Sequence, residues 1–150
     1  MCRSVVYLAA ACFSLTMSAF AQDSTDASYS GTWLLQNNST TKWVFEQHGD
    51  RIRIQKIAGS ETVADYTCNT SGKECDIKID GHKATVSLWF NGNDLVELET
   101  RGHVVVKRRF EFLKDGKQMD VETIPISPPG KTEKLTFSPA TPGGVFVPSD

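Results

Sequence analysis

The feature that most constrains the fold is a series of short segments in which apolar and polar residues alternate. Between Tyr29 and Phe137, turn-forming residues interrupt these segments about every eight to twelve positions. Alternation places successive side chains on opposite faces of an extended chain, which is typical of antiparallel strands with one buried face. The pattern predicts ten strands, over residues 30–36, 41–47, 51–57, 62–68, 75–79, 83–90, 95–100, 103–113, 117–125 and 131–137.

The turns predict how these strands pair, because the length of a hairpin loop fixes which residues face each other. Three turns are interpreted as two-residue turns and a fourth as a three-residue loop: Gly49-Asp50, Asp80-Gly81, Asp115-Gly116 and Thr100-Arg101-Gly102. The predicted partners are all apolar: Phe45 with Ile54, Ile77 with Ala84, Val96 with Val106, Leu98 with Val104, Phe110 with Val121 and Phe112 with Met119. This agreement favours a meander of sequential hairpins.

The meander must bury its apolar face, and an open sheet of this length would leave two edges and that face exposed. We therefore predict an all-β fold with a single antiparallel up-and-down sheet closed into a barrel. A β-sandwich buries the same residues and is the alternative.

The first 21 residues have the three zones of a secretory signal peptide. Arg3 supplies a positive charge, an apolar stretch runs over 5–20, and Ala19-Phe20-Ala21 matches a cleavage site after Ala21. A retained membrane helix and lipoprotein processing at Cys12 are the alternatives. The expected organisation is a signal peptide over 1–21, a flexible arm over 22–28, the barrel over 29–137 and a flexible tail over 138–150. We therefore expect a secreted or periplasmic protein without a stable membrane span after cleavage.

Charge and cysteine content narrow the possible partners. Residues 22–150 carry 15 basic and 18 acidic residues, since Arg3 is the one charged residue in the first 21. A protein without a basic excess is a poor partner for nucleic acid. Cys68 and Cys75 remain after cleavage, and an even pair in an oxidising compartment indicates a disulfide rather than a zinc site. We predict no metal site and no cofactor.

Gly31-Thr32-Trp33 on the first strand, followed by a hairpin meander, resembles the opening of lipocalin-like and calycin-like barrels. In that superfamily the tryptophan of a G-x-W motif closes one end of the barrel. The superfamily also tends to carry an arginine near its last strand, whereas 131–137 contains none. The sequence also predicts neither the helix of true lipocalins nor the helical lid of fatty-acid-binding relatives. The resemblance implies a lipocalin-like exported protein that binds a small apolar molecule.

The candidate ligand-binding residues are Arg108, Tyr66 and Trp43. Arg108 shares the apolar face of its strand, so its guanidinium could hold a ligand carboxylate through paired hydrogen bonds. The favoured alternative is an ion pair with Asp94, which the predicted three-residue loop places opposite Arg108. Tyr66 and Trp43 point inward, where they contact either a ligand or the core.

No residue pattern indicates catalysis, although convergent active sites leave no local signature. Five carboxylates are expected to point outward: Asp65, Glu97, Glu99, Asp120 and Glu122. The histidines, His48, His82 and His103, lie at or beside predicted turns and are expected to be solvated. Trp89 alternates with inward-facing neighbours and is a candidate for an outward-facing interface.

Two other function classes fit the chain. Calycin-like inhibitors of bacterial metalloproteases share the G-x-W start, one disulfide and an N-terminal arm, but the arm over 22–28 lacks an apolar residue for a specificity pocket. A structural envelope protein with a solid barrel core is the other alternative. The seven inward aromatic residues could fill such a core: Trp33, Phe45, Tyr66, Phe90, Phe110, Phe112 and Phe137.

Overall fold

The computed structural model describes residues 29–113 and 116–140, and these residues form ten β-strands. The strands are β1 Gly31–Leu35, β2 Asn38–His48, β3 Arg51–Ala58, β4 Glu61–Asn69, β5 Ser71–Ile79, β6 His82–Asn91, β7 Asp94–Arg101, β8 Val104–Phe112, β9 Met119–Ser127 and β10 Glu133–Pro139. Each predicted strand is present. The predicted signal peptide, the arm and residues 141–150 of the tail lie outside the described residues. Within the described ranges, no helix has the length and apolar character that crossing a bilayer requires.

All ten strands belong to one antiparallel sheet with the order β4-β3-β2-β1-β10-β9-β8-β7-β6-β5. The first and last strands pair, with Leu35 opposite Phe137 and Trp33 opposite Pro139. This pairing curls the meander into a nearly closed up-and-down barrel, as predicted. The prediction that the chain leaves the sheet at residue 138 is wrong, because Ala140 still donates a backbone hydrogen bond to Thr32.

The barrel remains open along one seam, between β4 and β5. These strands form the two ends of the sheet order and, among the described residues, do not pair with each other. The predicted disulfide crosses this seam, joining Cys68 on β4 to Cys75 on β5 with their Cα atoms 5.9 Å apart. The covalent bond thus holds together two strands that the hydrogen-bond ladder leaves apart.

Three of the four predicted registers are confirmed. Phe45 lies opposite Ile54, Ile77 opposite Ala84, and Phe112 opposite Met119. The turn at Asp80-Gly81 has positive φ at both residues, 49° and 76°. Positive φ at both central positions is the geometry of the primed turn that matches the twist of a hairpin.

The fourth predicted register is wrong, and the observed register exchanges the inward and outward faces of β7. The β7–β8 loop contains two residues, Gly102 and His103, so that Glu97 lies opposite Arg108. Gly102 has a φ of 59° and occupies the first central position, where a two-residue turn of this kind favours glycine. The shift of three residues turns Glu97 and Glu99 into the barrel and Leu98 out of it.

An aromatic cluster fills the end of the barrel at which β1 and β7 begin. Neighbouring ring centroids lie 4.6–6.3 Å apart, in edge-to-face and stacked contacts that aromatic quadrupoles favour. Phe110, fully buried at its centre, is 5.2 Å from both Trp43 and Phe45. The cluster comprises Tyr29, Trp33, Trp43, Phe45, Phe90, Phe110 and Phe112.

Candidate functional site

The other end of the barrel contains a cavity of about 180 Å³. It lies where β4 and β6 begin and β5 and β7 end, and Trp43 separates it from the rest of the aromatic cluster. Asp80 and Arg101 are exposed and form its mouth. The lining residues are Trp43, Lys56, Val63, Ala64, Tyr66, Ile79, Asp80, Glu99, Arg101 and Arg108.

A polar cluster consists of four residues of this lining, Lys56, Tyr66, Glu99 and Arg108, and of Glu97, which bonds to Tyr66 and Arg108. Arg108 donates from Nη1 to Oε1 of Glu97 and, at 2.6 Å, to Oε2 of Glu99. Tyr66 donates its hydroxyl to Oε2 of Glu97 at 2.5 Å. The side chain of Glu97 is fully buried, and that of Arg108 is 15% exposed. Both oxygens of Glu97 therefore have partners, as a buried carboxylate requires.

Burial and neighbouring charges determine the ionisation of the cluster. Although burial disfavours its charged form, Glu97 and Glu99 hold the pKa of Arg108 above its ordinary value. Burial, reinforced by Glu97, raises the pKa of Tyr66 well above its ordinary value. The phenol is therefore protonated at neutral pH and remains a donor.

Lys56 is the second cation of the cluster. Its Nζ lies 5.4 Å from the ring centroid of Trp43, a distance at which a cation is attracted to the face of an indole. Burial, with a smaller contribution from Arg108, lowers the pKa of Lys56, while Glu97 and Glu99 oppose that shift. Lys56 thus lies within electrostatic reach of every charged member of the cluster.

The structure brings the three predicted ligand-binding residues together. Arg108, Tyr66 and Trp43 all line the cavity, and all three side chains point inward. Their role in binding stays a prediction. The favoured partner of Arg108 was wrong: Asp94 lies opposite Glu111 and approaches Arg109 instead, with an Nε–Oδ2 distance of 3.8 Å.

The expectation that Glu97 and Glu99 face solvent was also wrong, because both are buried. Asp65 is exposed and binds Arg53 at 2.8 Å, as expected for an outward carboxylate. Asp120 and Glu122 also lie on the outer face, at 3.0 Å from Lys134 and 3.2 Å from Arg109 respectively.

The remaining candidates lie away from the cavity. The side chains at all three histidine positions are exposed, and no group of potential metal ligands assembles in the described ranges. Trp89 faces outward opposite Val96 but is partly covered, so it is less exposed than the alternation implied. Its role as an interface stays a prediction.

Sequence reasoning missed three residues of the polar cluster: Lys56, Glu97 and Glu99. Strict alternation along β3 gave a usable signal for Lys56, because it follows the inward Ile52 and Ile54 at the same spacing. The inward Arg108 was the signal for the two glutamates, since a buried cation needs anionic partners. The incorrect β7–β8 loop hid that match.

Trp33, the tryptophan of the G-x-W motif, is buried at the aromatic end and packs edge-to-face on Phe112, with centroids 5.5 Å apart. Its indole Nε1 has no hydrogen-bond partner among the described residues. A tryptophan buried in one end of an up-and-down antiparallel barrel is the arrangement that the sequence resemblance implied. The fold is calycin-like.

Solved structures agree with that fold. The chain is similar to the REP1-NXSQ fatty acid transporter, with a TM-score of 0.61 and 18% identity over 75% of this chain and 96% of that one. It is also similar to a secretary abundant heat soluble (SAHS) protein from Ramazzottius varieornatus, with a TM-score of 0.63 and 11% identity over 77% and 98% of the two chains. A third calycin-like neighbour is a Schistosoma mansoni fatty acid binding protein in complex with arachidonic acid, with a TM-score of 0.57 and 16% identity over 75% and 96%.

No protein-family model matches the chain, and no curated protein matches its sequence. The likeness is therefore one of fold. The chemistry of the calycin-like barrel's cavity is that of its own side chains, which combine hydrogen-bond donors, an acceptor and an aromatic wall. Such a site can hold a small molecule that has both a polar and an apolar part.

Proposed function

We propose that this protein is an exported carrier that binds a small amphiphilic molecule inside its barrel. The observation that carries the proposal is the cavity of about 180 Å³ whose lining includes four members of the polar cluster. The polar group of the ligand lies against that cluster, and its apolar part lies along Trp43, Val63 and Ala64.

The buried charges support a binding role better than a purely structural one. A buried ion pair generally stabilises a fold no more than apolar side chains of similar volume would. Close packing is the usual condition of a protein interior, and the aromatic cluster achieves it in the same barrel. A role in ligand binding therefore explains charged groups beside an unfilled space better than a contribution to the stability of the fold does.

The cavity volume sets the size of the ligand. An apolar cavity of about 150 Å³ holds benzene, whereas pockets for drug-sized ligands begin near 300 Å³. A volume of about 180 Å³ accommodates a polar group and a short chain, with a longer chain extending through the mouth. The fold supports this choice, since two of the similar structures are named for fatty acid transport or binding.

The export part of the proposal rests on the signal-like residues 1–21 and is supported by the disulfide between Cys68 and Cys75. Disulfides persist in oxidising compartments such as a periplasm or an extracellular space. Fractionation of cells that express the full chain tests it. We expect the protein in the periplasm or medium, with Gln22 as its first residue by N-terminal sequencing.

Native mass spectrometry of residues 22–150, purified from a periplasm without refolding, tests the binding role. We expect a disulfide-bonded chain that carries solvent-extractable mass. Ala64→Phe fills the cavity wall and should remove that mass, whereas Thr67→Phe, at an exposed position on the outer face of the same strand, should retain it. A bare wild-type chain that also gives no response to short amphiphiles in a titration of tryptophan fluorescence would contradict the proposal.

A further inference from the structure

The formal charges around the inner cavity balance. In their ordinary ionised forms, Arg108 and Lys56 contribute two cations, and Glu97 and Glu99 contribute two carboxylates. Asp80, Arg101 and Glu133 add charges at the mouth, but these residues are exposed and solvent screens them. The sheltered part of the site therefore has no net charge for an ionic ligand to neutralise.

The hydrogen-bonding groups of the cluster are only partly used. Both oxygens of Glu97 accept bonds, from Arg108 and from Tyr66. Among the described residues, Arg108 donates from Nη1 alone, which leaves its Nε and Nη2 atoms as donors, and Lys56 Nζ is a further donor. On the acceptor side, Oε1 of Glu99 has no partner in the described part of the chain. Residues that line the cavity thus retain both unused donors and an unused acceptor.

Three common ligand head groups differ in how well they match the charges and the hydrogen-bonding groups of the cavity. A carboxylate could accept from Arg108 and Lys56, but it would add a third anion beside Glu97 and Glu99. An ammonium could donate to Glu99, but it would add a third cation in the same small space. A hydroxyl donates to Glu99 and accepts from Arg108 or Lys56 without adding charge. Desolvating an ion costs far more than desolvating a hydroxyl, so an uncompensated charge is disfavoured here.

We infer that the cavity selects amphiphiles with a neutral hydroxyl head over fatty acids and alkylamines of the same length. This inference rests on the proposed carrier function and names its substrate class. Specificity arises as much from the like charges that an ionic head would meet as from the bonds that a hydroxyl makes.

A matched series of eight-carbon probes tests the inference: 1-octanol, octanoate and octylamine, titrated at pH 7 into oxidised residues 22–150 and measured by calorimetry. We expect 1-octanol to bind at least about tenfold more tightly than either ion. If octanoate or octylamine binds most tightly, the head-group inference is overturned while the carrier function stands. If none of the three binds at millimolar concentration, the carrier function itself fails, and the inference with it.

Two near-isosteric variants shift the charge balance in opposite directions. Glu99→Gln leaves an excess cation and should improve octanoate binding about tenfold or more, with 1-octanol changed by less than about threefold. Lys56→Gln leaves an excess anion and should improve octylamine binding by a similar factor.

Glu122→Gln and Lys42→Gln are the matched controls, because both residues lie on the outer face of the barrel. They should leave all three affinities unchanged. Equal shifts in the controls would show that overall charge, rather than the polar cluster, sets the preference, and would overturn the inference.

Discussion

The two ends of the barrel interior follow the same strand alternation but differ in how they are filled. At one end the aromatic cluster packs ring against ring, and Phe110 at its centre has no exposed surface. At the other end the polar cluster leaves a cavity of about 180 Å³. Rings pack in many orientations, whereas charged groups must keep hydrogen-bond distances and directions, and this requirement prevents close packing. We therefore expect the aromatic end to supply most of the stability, whereas the polar end is the site at which we propose that a ligand binds.

The largest expected effect lies in the aromatic cluster. Phe110→Ala should lower the free energy of unfolding by about 3–5 kcal/mol, because it removes a fully buried ring and leaves a cavity. Urea denaturation monitored by circular dichroism measures the loss. Glu111→Ala, the neighbouring outward position, should cost less than about 1 kcal/mol. Equal losses from the two variants would contradict the assignment of faces on β8.

A somewhat smaller loss is expected in the polar cluster. Arg108→Met should lower the free energy of unfolding by about 3 kcal/mol, since it leaves the buried carboxylates of Glu97 and Glu99 without their guanidinium partner. Arg109→Met, on the more exposed face of the same strand, should cost about 1 kcal/mol or less.

Replacing the whole ionic group separates the cost of an unpaired charge from the value of the pair. The fourfold variant Glu97→Leu, Glu99→Leu, Arg108→Met and Tyr66→Phe should recover most of the stability that Arg108→Met loses, because apolar side chains then meet one another and the Tyr66 hydroxyl is not left without its acceptor. A fourfold variant less stable than the single variant would show that the polar end contributes to stability in the same way as the aromatic end.

A further contribution to stability comes from the disulfide that crosses the seam between β4 and β5. Replacing Cys68 and Cys75 by serine should lower the free energy of unfolding by about 2–3 kcal/mol, the chain-entropy value for a loop of this length. Thermal unfolding of the serine variant, beside wild type with and without reductant, measures it. Reduced wild type should match the serine variant. A reduced protein as stable as the oxidised one would mean that the sheet alone holds β4 against β5.

The smallest effect concerns a charge on the outer face. Burial opposes ionisation of Asp120, but hydrogen bonds from Lys134, Thr136 and Gln118 together lower the pKa of its carboxyl. A lowered pKa in the folded state contributes stability above the ordinary value of 3.8, and that stability is lost as the pH falls through the folded pKa.

Asp120→Asn should therefore cost about 1–2 kcal/mol at pH 7, and its difference from wild type should shrink from about pH 4 downward. Urea denaturation at a series of pH values measures both. A difference that stays constant to pH 2 would show that the charge of Asp120 contributes nothing.

Most of the architecture could be predicted because local turn chemistry and alternation agree. The turn at Asp80-Gly81 gave the correct register since its two residues fit one turn type. The β7–β8 register failed because β7 carries apolar residues on both faces, with Leu95 and Val96 both buried. Hydrophobicity favoured Val96 and Leu98 as the inward residues of β7. The only signal for the opposite face of β7 is the charge of Arg108 on the facing strand β8.

The candidate site was predictable in part. Arg108, Tyr66 and Trp43 follow from alternation, whereas the bonds among Arg108, Glu97 and Tyr66 depend on strands that are far apart in sequence. The cavity could not be predicted, because the same inward residues are compatible with a filled or an unfilled barrel. Its volume depends on side-chain directions that no pattern of residue types specifies.

The seam also determines where the barrel opens most easily. Where two strands are not paired, the backbone N–H groups that point into the gap have no ladder partner, and such amides exchange with deuterium through small local motions rather than through global unfolding. The disulfide between Cys68 and Cys75 closes one part of the gap, while Ala64 and Ile79 line the cavity at the other. The disulfide therefore restrains one end of β4 only, and deuterium uptake should rise along β4 from Cys68 toward Ala64.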